Sequence, residues 1–142
     1  MTYTSKRIDA SELPELYAKH YNSIIIGISP SYYLEKDEGS CKIVMIYKKH
    51  KKYIVEEYTG LHSANRCAIK GLIKAAEQIK MPKSVVFITA SAFGFQKALK
   101  GKGKNPELWD KFLKILKDKD CNMISEVIVE RGGTALLQLC TE

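Results

Sequence analysis

The first absence in this 142-residue sequence is that of a long apolar run. No stretch approaches the roughly 18 apolar residues that a membrane-spanning helix requires. The residues at the start, Met-Thr-Tyr-Thr-Ser-Lys-Arg, are not followed by an apolar segment, so we expect no signal peptide. Together these absences predict a cytoplasmic protein that has no membrane partner.

Cysteine is also sparse, with four residues scattered along the chain at Cys41, Cys67, Cys121 and Cys140. They form no Cys-x-x-Cys pair and have no histidine nearby, which argues against a zinc site. We expect these cysteines to be reduced and to act as small apolar side chains. The sequence therefore predicts neither a bound metal nor a cofactor.

Arginine occurs only at Arg7, Arg66 and Arg131, although the formal net charge is +7. The positive charge therefore comes from lysine, whose compact ammonium group suits phosphate backbones better than bidentate reading of bases. This charge balance favours a polyanionic partner, with a solvated lysine-rich surface as the alternative.

Hydrophobic patterns divide the chain into strands and helices. Residues 1–10 are polar and are expected to be frayed, and a short helix follows over 11–20 with Pro14 in its first turn. Strands are predicted at 23–29, where Pro30 ends the strand, and at 41–47 and 52–58. Because the segment 48–51 lacks Asn-Gly, we expect a four-residue loop between the last two strands.

The second half of the chain alternates more regularly. A helix is predicted over 63–80 with Ser63 as its N-cap, then an apolar strand over Ser84–Thr89 and a short helix over 92–99. A basic loop, 100–104, leads to a helix with Asn105 as N-cap and Pro106 at its first position. A fifth strand covers 122–129, and 134–142 is expected to form a short helix or a tail.

This order of elements predicts an α/β fold with a mixed five-stranded sheet flanked by helices. The three early strands are expected to be antiparallel, and the two later ones, reached through helices, to be parallel. Residues 1–22 would form an N-terminal extension with a short helix, and residues 23–142 one domain.

Four short motifs, in this order, resemble those of the ribonuclease H family. The family's first strand ends in Asp-Gly-Ser, and this chain has Gly-Ile-Ser at 27–29. The family's first helix begins Asn-Arg-x-Glu-Leu and its fourth strand ends Thr-Asp-Ser, where this chain has Asn-Arg-Cys-Ala-Ile at 65–69 and Thr-Ala-Ser at 89–91. A later helix opens Asn-x-Asp-Leu-Trp in the family and Asn-Pro-Glu-Leu-Trp at 105–109 here. The resemblance spans 23 to about 133 and implies a ribonuclease H-like fold.

The departures fall on the family's catalytic positions. Members of the family hold two Mg²⁺ ions with acidic side chains and use them to cleave phosphodiesters. The first three acid positions correspond here to Gly27, Ala68 and Ala90, which cannot bind a hard cation. The family's mobile histidine and fourth acid have no counterpart around Gly132 and Gly133. The resemblance therefore implies a non-catalytic relative, a pseudoenzyme without catalytic or metal-binding residues.

Without catalytic residues, the function that the resemblance still implies is binding of nucleic acid. Asn65 and Ser91 match positions at which the family contacts an RNA/DNA hybrid, with helix capping as the alternative role of Asn65. Four lysines stand where some members carry a basic handle that grips a duplex, and solvated side chains on a loop are the alternative; they are Lys97, Lys100, Lys102 and Lys104. With 48–52, these residues are expected to bind RNA/DNA hybrid or double-stranded RNA through shape and backbone.

Two other functions stay open at this point. The chain could be a protein-interaction or structural subunit, with a protein partner or as a homodimer, in which only the fold is kept. Alternatively, Glu56, Glu57 or Glu130 could rebuild a metal site, which would make the chain a divergent metal-dependent nuclease.

Overall fold

The computed structural model describes residues 4–89, 101 and 103–130. The strands are β1 (Thr4–Asp9), β2 (Ile24–Tyr33), β3 (Glu38–Tyr47), β4 (His50–Thr59), β5 (Ser84–Thr89) and β6 (Asn122–Glu130). The helices are α1 (Leu13–Lys19), which follows a 3₁₀ turn at Ala10–Glu12, α2 (Ala64–Glu77) and α3 (Pro106–Asp118). The predicted helix at 92–99 and the segment 134–142 lie outside the described residues.

All six strands belong to one sheet in the order β1-β6-β5-β2-β3-β4. Strands β2, β3 and β4 are antiparallel neighbours, whereas β5 pairs parallel with β2, and β6 pairs parallel with β5 and β1. The predicted α/β class and mixed sheet are confirmed, and the layout is roughly that of a ribonuclease H-like fold. Among the described helices, none is long and apolar enough to cross a membrane.

Over the described residues the sheet has six strands instead of five, because β1 forms where the sequence predicted a frayed segment. It runs parallel to β6, from the Thr4–Ser125 pair to the Asp9–Glu130 pair. The Ile8 side chain is buried in the same cluster as Val127 and Val129. Pairing also gives backbone partners to β6, which would otherwise be an open edge.

Two apolar clusters cover the two faces of the sheet. Helices α2 and α3 pack on one face, where Ile26, Ile28 and Phe87 meet Leu72 and Phe112. Helix α1 packs on the other face; the apolar residues here include Leu16, Ile25, Val86, Ile88, Val127 and Val129. We call these the α2 face and the α1 face.

Helix α2 begins as predicted and ends earlier than predicted. The Ser63 hydroxyl accepts a hydrogen bond from the Arg66 backbone N–H at 3.1 Å, which makes Ser63 the N-cap. At the other end, the Lys119 ammonium donates to the carbonyl oxygens of Ala76, Glu77 and Ile79 at 3.0, 2.7 and 2.7 Å. A cation placed on these last carbonyls ends the helix favourably.

Helix α2 lies very close to β3 because each element offers a glycine to a cysteine of the other. A Cβ atom on Gly71 of α2 would overlap the Cys41 sulfur and lie 3.0 Å from the Cys41 Cβ. A Cβ atom on Gly39 of β3 would overlap the Cys67 sulfur. Cys41 and Cys67 are buried and reduced, as predicted. Burial raises the pKa of the Cys67 thiol.

Two turns differ from the sequence prediction. The hairpin between β3 and β4 has a two-residue turn, Lys48-Lys49, because Tyr47 pairs directly with His50. Lys48 adopts the left-handed backbone conformation (φ 56) that such turns require at their first position. Strand β2 continues through Pro30, which pairs with Cys41 of β3. Within the described residues, the β2–β5 register extends to Gly27, and proline is tolerated in a strand where its missing N–H is not needed for pairing.

Candidate functional site

Gly27, at the first expected acid position, lies within β2 and is buried. Its register partners are Val44 in β3 and Ile88 in β5. Its chain neighbours Ile26 and Ile28 pack on the α2 face, so the alternation of the strand directs position 27 to the α1 face. The position offers no ligand and faces away from α2.

Ala68, at the second expected acid position, is fully buried in α2 with 0% of its surface exposed. It packs in the cluster that contains Ile26 and Ile28. The structure therefore places Gly27 and Ala68 on opposite faces of the sheet. Ala90, the third position, follows β5 directly and lies outside the described residues.

Of the acids that could have replaced the missing ligands, Glu56 and Glu57 do not converge. Glu56 and Glu57 are neighbours on β4 and so point to opposite faces. Glu56 forms an ion pair with Lys74 of α2 at 3.7 Å, whereas Glu57 lines a pocket beside the β2–β3 turn. The Glu130 side chain is not described. Within the described parts of the chain, no group of three or more acidic, histidine or cysteine side chains is placed to hold a metal.

Sequence reasoning missed a buried acid, Glu126, which is only 2% exposed. It lies opposite Phe87 in the register of β5 and β6, on the α2 face. Strand alternation could have found it, because its neighbour Val127 and Val129 both face α1 and Glu126 must then point to the other buried face. One carboxylate does not make a metal site.

Asn65, a predicted nucleic-acid contact, lies half-buried in the first turn of α2. The capping role that competed with binding belongs to Ser63 instead, whose hydroxyl accepts from the Arg66 N–H. The Asn65 amide is therefore not required as the N-cap of α2.

The next residue, Arg66, joins the starts of α2 and α3. Its guanidinium donates to the Asn105 side-chain oxygen at 2.7 Å and to a Glu107 carboxylate oxygen at 3.0 Å. The Glu107 pKa is lowered by a backbone hydrogen bond and then by Arg66. Asn105 occupies the predicted N-cap position with φ 60, but its side chain makes no capping bond because it accepts from Arg66. The Arg66 charge is thus engaged within the fold.

The Arg66–Asn105 contact brings two of the residues predicted to bind nucleic acid, Asn65 and Lys104, to the same region. Lys104 directly precedes Asn105, and Asn65 directly precedes Arg66, so both lie at the same end of the molecule. Lys104 is exposed. The remaining predicted residues, which are Ser91, Lys97, Lys100 and Lys102, lie outside the described part of the chain.

A second basic surface lies at the opposite end of the sheet. We call it the lysine cluster; it comprises Lys48, Lys49, Lys51, Lys52, Lys80 and Lys83. The ammonium groups of Lys48 and Lys83 lie 5.5 and 5.2 Å from the centroid of the Tyr47 ring. A hydrogen bond with Lys83, and then the charge of Lys48, lower the pKa of Tyr47. Two separate chain segments therefore present lysines on one aromatic ring.

Three other lysines of the cluster line a pocket of about 470 Å³ between the β3–β4 turn and the end of α2. Its rim carries Lys51, Lys52 and Lys80, and Ile79 and Met45 contribute apolar surface. The Lys52 ammonium donates to the Gln78 side-chain oxygen at 2.9 Å, so a neutral amide holds that lysine in place.

Acidic groups gather at the other end of the hairpin strands. The Asp37 carboxylate accepts from the Tyr32 hydroxyl at 2.7 Å and from the His62 backbone N–H at 2.9 Å. The Tyr32 hydrogen bond lowers the pKa of Asp37, and the same bond raises the pKa of Tyr32 to about 12. A pocket of about 460 Å³ beside this turn is lined by Glu38 and Glu57. Acidic groups therefore gather at one end of strands β3 and β4, and the lysine cluster lies at the other end.

The two predicted basic segments do not form one compact site. Lys52 contacts Gln78 at the C-terminal end of α2, whereas Asn65 lies in its first turn. At 1.5 Å per residue the helix separates these two positions by about 20 Å. A ligand that contacts both must follow the length of α2.

The comparisons with known proteins add no relatives. No protein-family model matches this chain, and no curated protein is significantly similar to it.

Proposed function

We propose that this chain is a ribonuclease H-like pseudoenzyme that binds RNA/DNA hybrid or double-stranded RNA through the phosphate backbone. The observation that carries the proposal is the lysine cluster, in which lysines before β4, in β4 and before β5 converge around Tyr47 and one pocket. Lysines clustered in this way neutralise phosphates without reading bases. The exposed Lys104 beside Asn65 supplies a second basic contact about one helix length away.

Non-catalysis is proposed from the side chains at the acid positions. Gly27 and Ala68 provide no oxygen ligand, and they lie on opposite faces of the sheet. Incubation of a labelled hybrid with the protein and Mg²⁺ or Mn²⁺ should leave the hybrid intact. Cleavage that follows the protein through purification would instead support a divergent metal-dependent nuclease.

A titration at two salt concentrations tests the binding. If four phosphates are neutralised, the logarithm of the binding constant should fall with a slope of about −3.6 against the logarithm of salt concentration. Affinity should then drop about a hundredfold between roughly 50 and 200 mM salt. Binding weaker than about 10 μM at the lower salt, or affinity independent of salt, contradicts the proposal.

Matched charge variants locate the contact. Lys48→Gln combined with Lys83→Gln should make the salt slope shallower by about 1.8, because two phosphate contacts are lost. Lys111→Gln combined with Lys114→Gln removes the same charge from exposed positions of α3 and should leave the slope unchanged. Equal effects of the two pairs would show attraction by net charge alone. A third variant, Lys104→Gln, reports on the other basic surface.

The second candidate function is that of a protein-interaction or structural subunit. It is favoured by the apolar filling around Ala68 and by two exposed apolar side chains at the β2–β3 turn, Tyr33 and Leu34, which are 71% and 79% exposed. Light scattering that gives a strict monomer, together with the absence of a stoichiometric partner on purification, would count against it.

A further inference from the structure

Among the strands that the structure describes, β4 lies at an edge of the sheet and has no neighbour on its outer side. It is outermost in the strand order, and it pairs with β3 over ten consecutive residues without a bulge. It contains no proline. A long, regular edge strand of this kind presents backbone N–H and C=O groups as a template for another strand.

The hairpin geometry determines which residues present those groups. In a two-residue hairpin the closing residues, here Tyr47 and His50, form a hydrogen-bonded pair, and such pairs then recur at every second residue. The bond from the Gly60 N–H to the Asp37 carbonyl at 3.2 Å agrees with this phase at the far end. Even-numbered residues of β4 therefore bond to β3. Odd-numbered residues direct their backbone groups outward.

We propose that β4 pairs antiparallel with β4 of a second copy of this chain, about a two-fold axis at Ile54. In this register Lys51 lies opposite Glu57 of the second copy, Lys52 lies opposite its Glu56, and Tyr53 lies opposite Val55 of that copy. The symmetry makes each of these pairs occur twice. Opposite charges and aromatic–β-branched pairs are the cross-strand combinations that stabilise a sheet.

Neighbouring registers lose this complementarity. Only registers centred on a residue keep the two faces of both sheets aligned. Centring on Tyr53 sets Lys51 against Val55 and Lys52 against Ile54. Centring on Val55 instead sets Tyr53 against Glu57 of the second copy. Of the three registers, the one at Ile54 alone matches both lysines with both glutamates.

On the α1 face of β4, pairing would change the surroundings of the side chains most, because they are exposed to solvent in the single chain. Tyr53 and Val55 are 43% and 47% exposed, and this pairing would bring each beside the other across the axis. On the α2 face, Lys52 and Glu56 already contact Gln78 and Lys74, so their new pairs extend existing contacts. Charges on an edge strand commonly prevent association. Here the pattern is self-complementary.

Charge exchange between two variants tests the register. Analytical ultracentrifugation of the wild type between about 1 and about 300 μM should show a dimer that forms with concentration. Lys51→Glu alone and Glu57→Lys alone should each weaken dimerisation about tenfold or more, because each creates two like-charged pairs. An equimolar mixture of the two variants should recover the wild-type dimer as a heterodimer, because both pairs are then of opposite charge.

A backbone variant supplies an independent test. The Val55 N–H points outward, so Val55→Pro should abolish dimerisation while the β3–β4 ladder persists. Val55→Thr, which keeps the N–H group, is the matched control, and circular dichroism checks that both variants are folded. The proposal is overturned by a wild type that stays monomeric over the whole range, by a dimer that survives Val55→Pro, or by a mixture no more associated than its separate variants.

Discussion

Replacement of Gly71 by alanine tests how closely α2 approaches β3. In an ordinary helix interior, Gly→Ala stabilises by about 1 kcal/mol because glycine has the larger conformational entropy to lose. Here the added methyl group would overlap the Cys41 sulfur and approach the Cys41 Cβ to 3.0 Å. Both groups are fully buried, so the helix must move outward or Cys41 must change rotamer.

The magnitude follows from these two opposing terms. Overpacking a close-packed interior by one methyl group costs about 1–3 kcal/mol, which exceeds the gain in helix propensity. We expect Gly71→Ala to reduce the free energy of unfolding by about 1 kcal/mol. In a Cys41→Ala background the sulfur is absent, so the same change should be neutral or stabilising.

Urea denaturation of the wild type, the two single variants and the double variant measures this coupling. The favourable interaction between the two substitutions should be about 1–2 kcal/mol, with unchanged m-values. If Gly71→Ala stabilises the wild type by its full helix propensity, then α2 can leave β3 without cost and the reasoning fails. Additive effects of the two substitutions would refute it equally.

Three further predictions follow. Lys119→Met should lower the free energy of unfolding by about 1–2 kcal/mol in urea denaturation, because it removes the cation from three carbonyls at the end of α2. Asp37→Asn should return the pKa of Tyr32 from about 12 towards 10.0, as seen by NMR of the tyrosine ring carbon. Because the folded pKa of Asp37 is below 3.8, its stabilisation is present above that pH and is lost on acidification, so the difference in stability between wild type and Asp37→Asn should shrink in acid. Gly39→Ala should speed amide exchange in the wild type, because the Cys67 sulfur occupies the space of the new methyl group. In a Cys67→Ala background, hydrogen exchange should show a smaller acceleration.

The central helices and strands could be predicted from the sequence, because each is marked by apolar or capping residues within its own short segment. Strand β5 was predicted over its observed bounds, and the starts of α2 and α3 follow from Ser63 and Pro106. Strand β1 could not be predicted in this way, because its partner β6 lies at the other end of the sequence. The two-residue turn was missed because Lys48 adopts a left-handed conformation that usually indicates glycine or asparagine.

The candidate site was less accessible to sequence reasoning. The lysines at 48–52 were recognised, but their convergence with Lys80 and Lys83 depends on the loop between α2 and β5. That Gly27 and Ala68 lie on opposite faces could not be predicted, because the direction of position 27 follows only from the packing of Ile26 and Ile28 in the folded core. Single charged residues carry no periodic signal, so spatial clusters of lysine emerge only from the packed fold.

The pairing of β1 with β6 has a consequence for synthesis of the chain. Thr4 pairs with Ser125 and Asp9 with Glu130, so β1 is synthesised long before its partner strand β6. The antiparallel β2–β3–β4 meander can form much earlier, because its contacts are local. During translation, β1 therefore remains a free segment that chaperones can bind. Its docking on β6 then joins it to the other five strands that the structure describes.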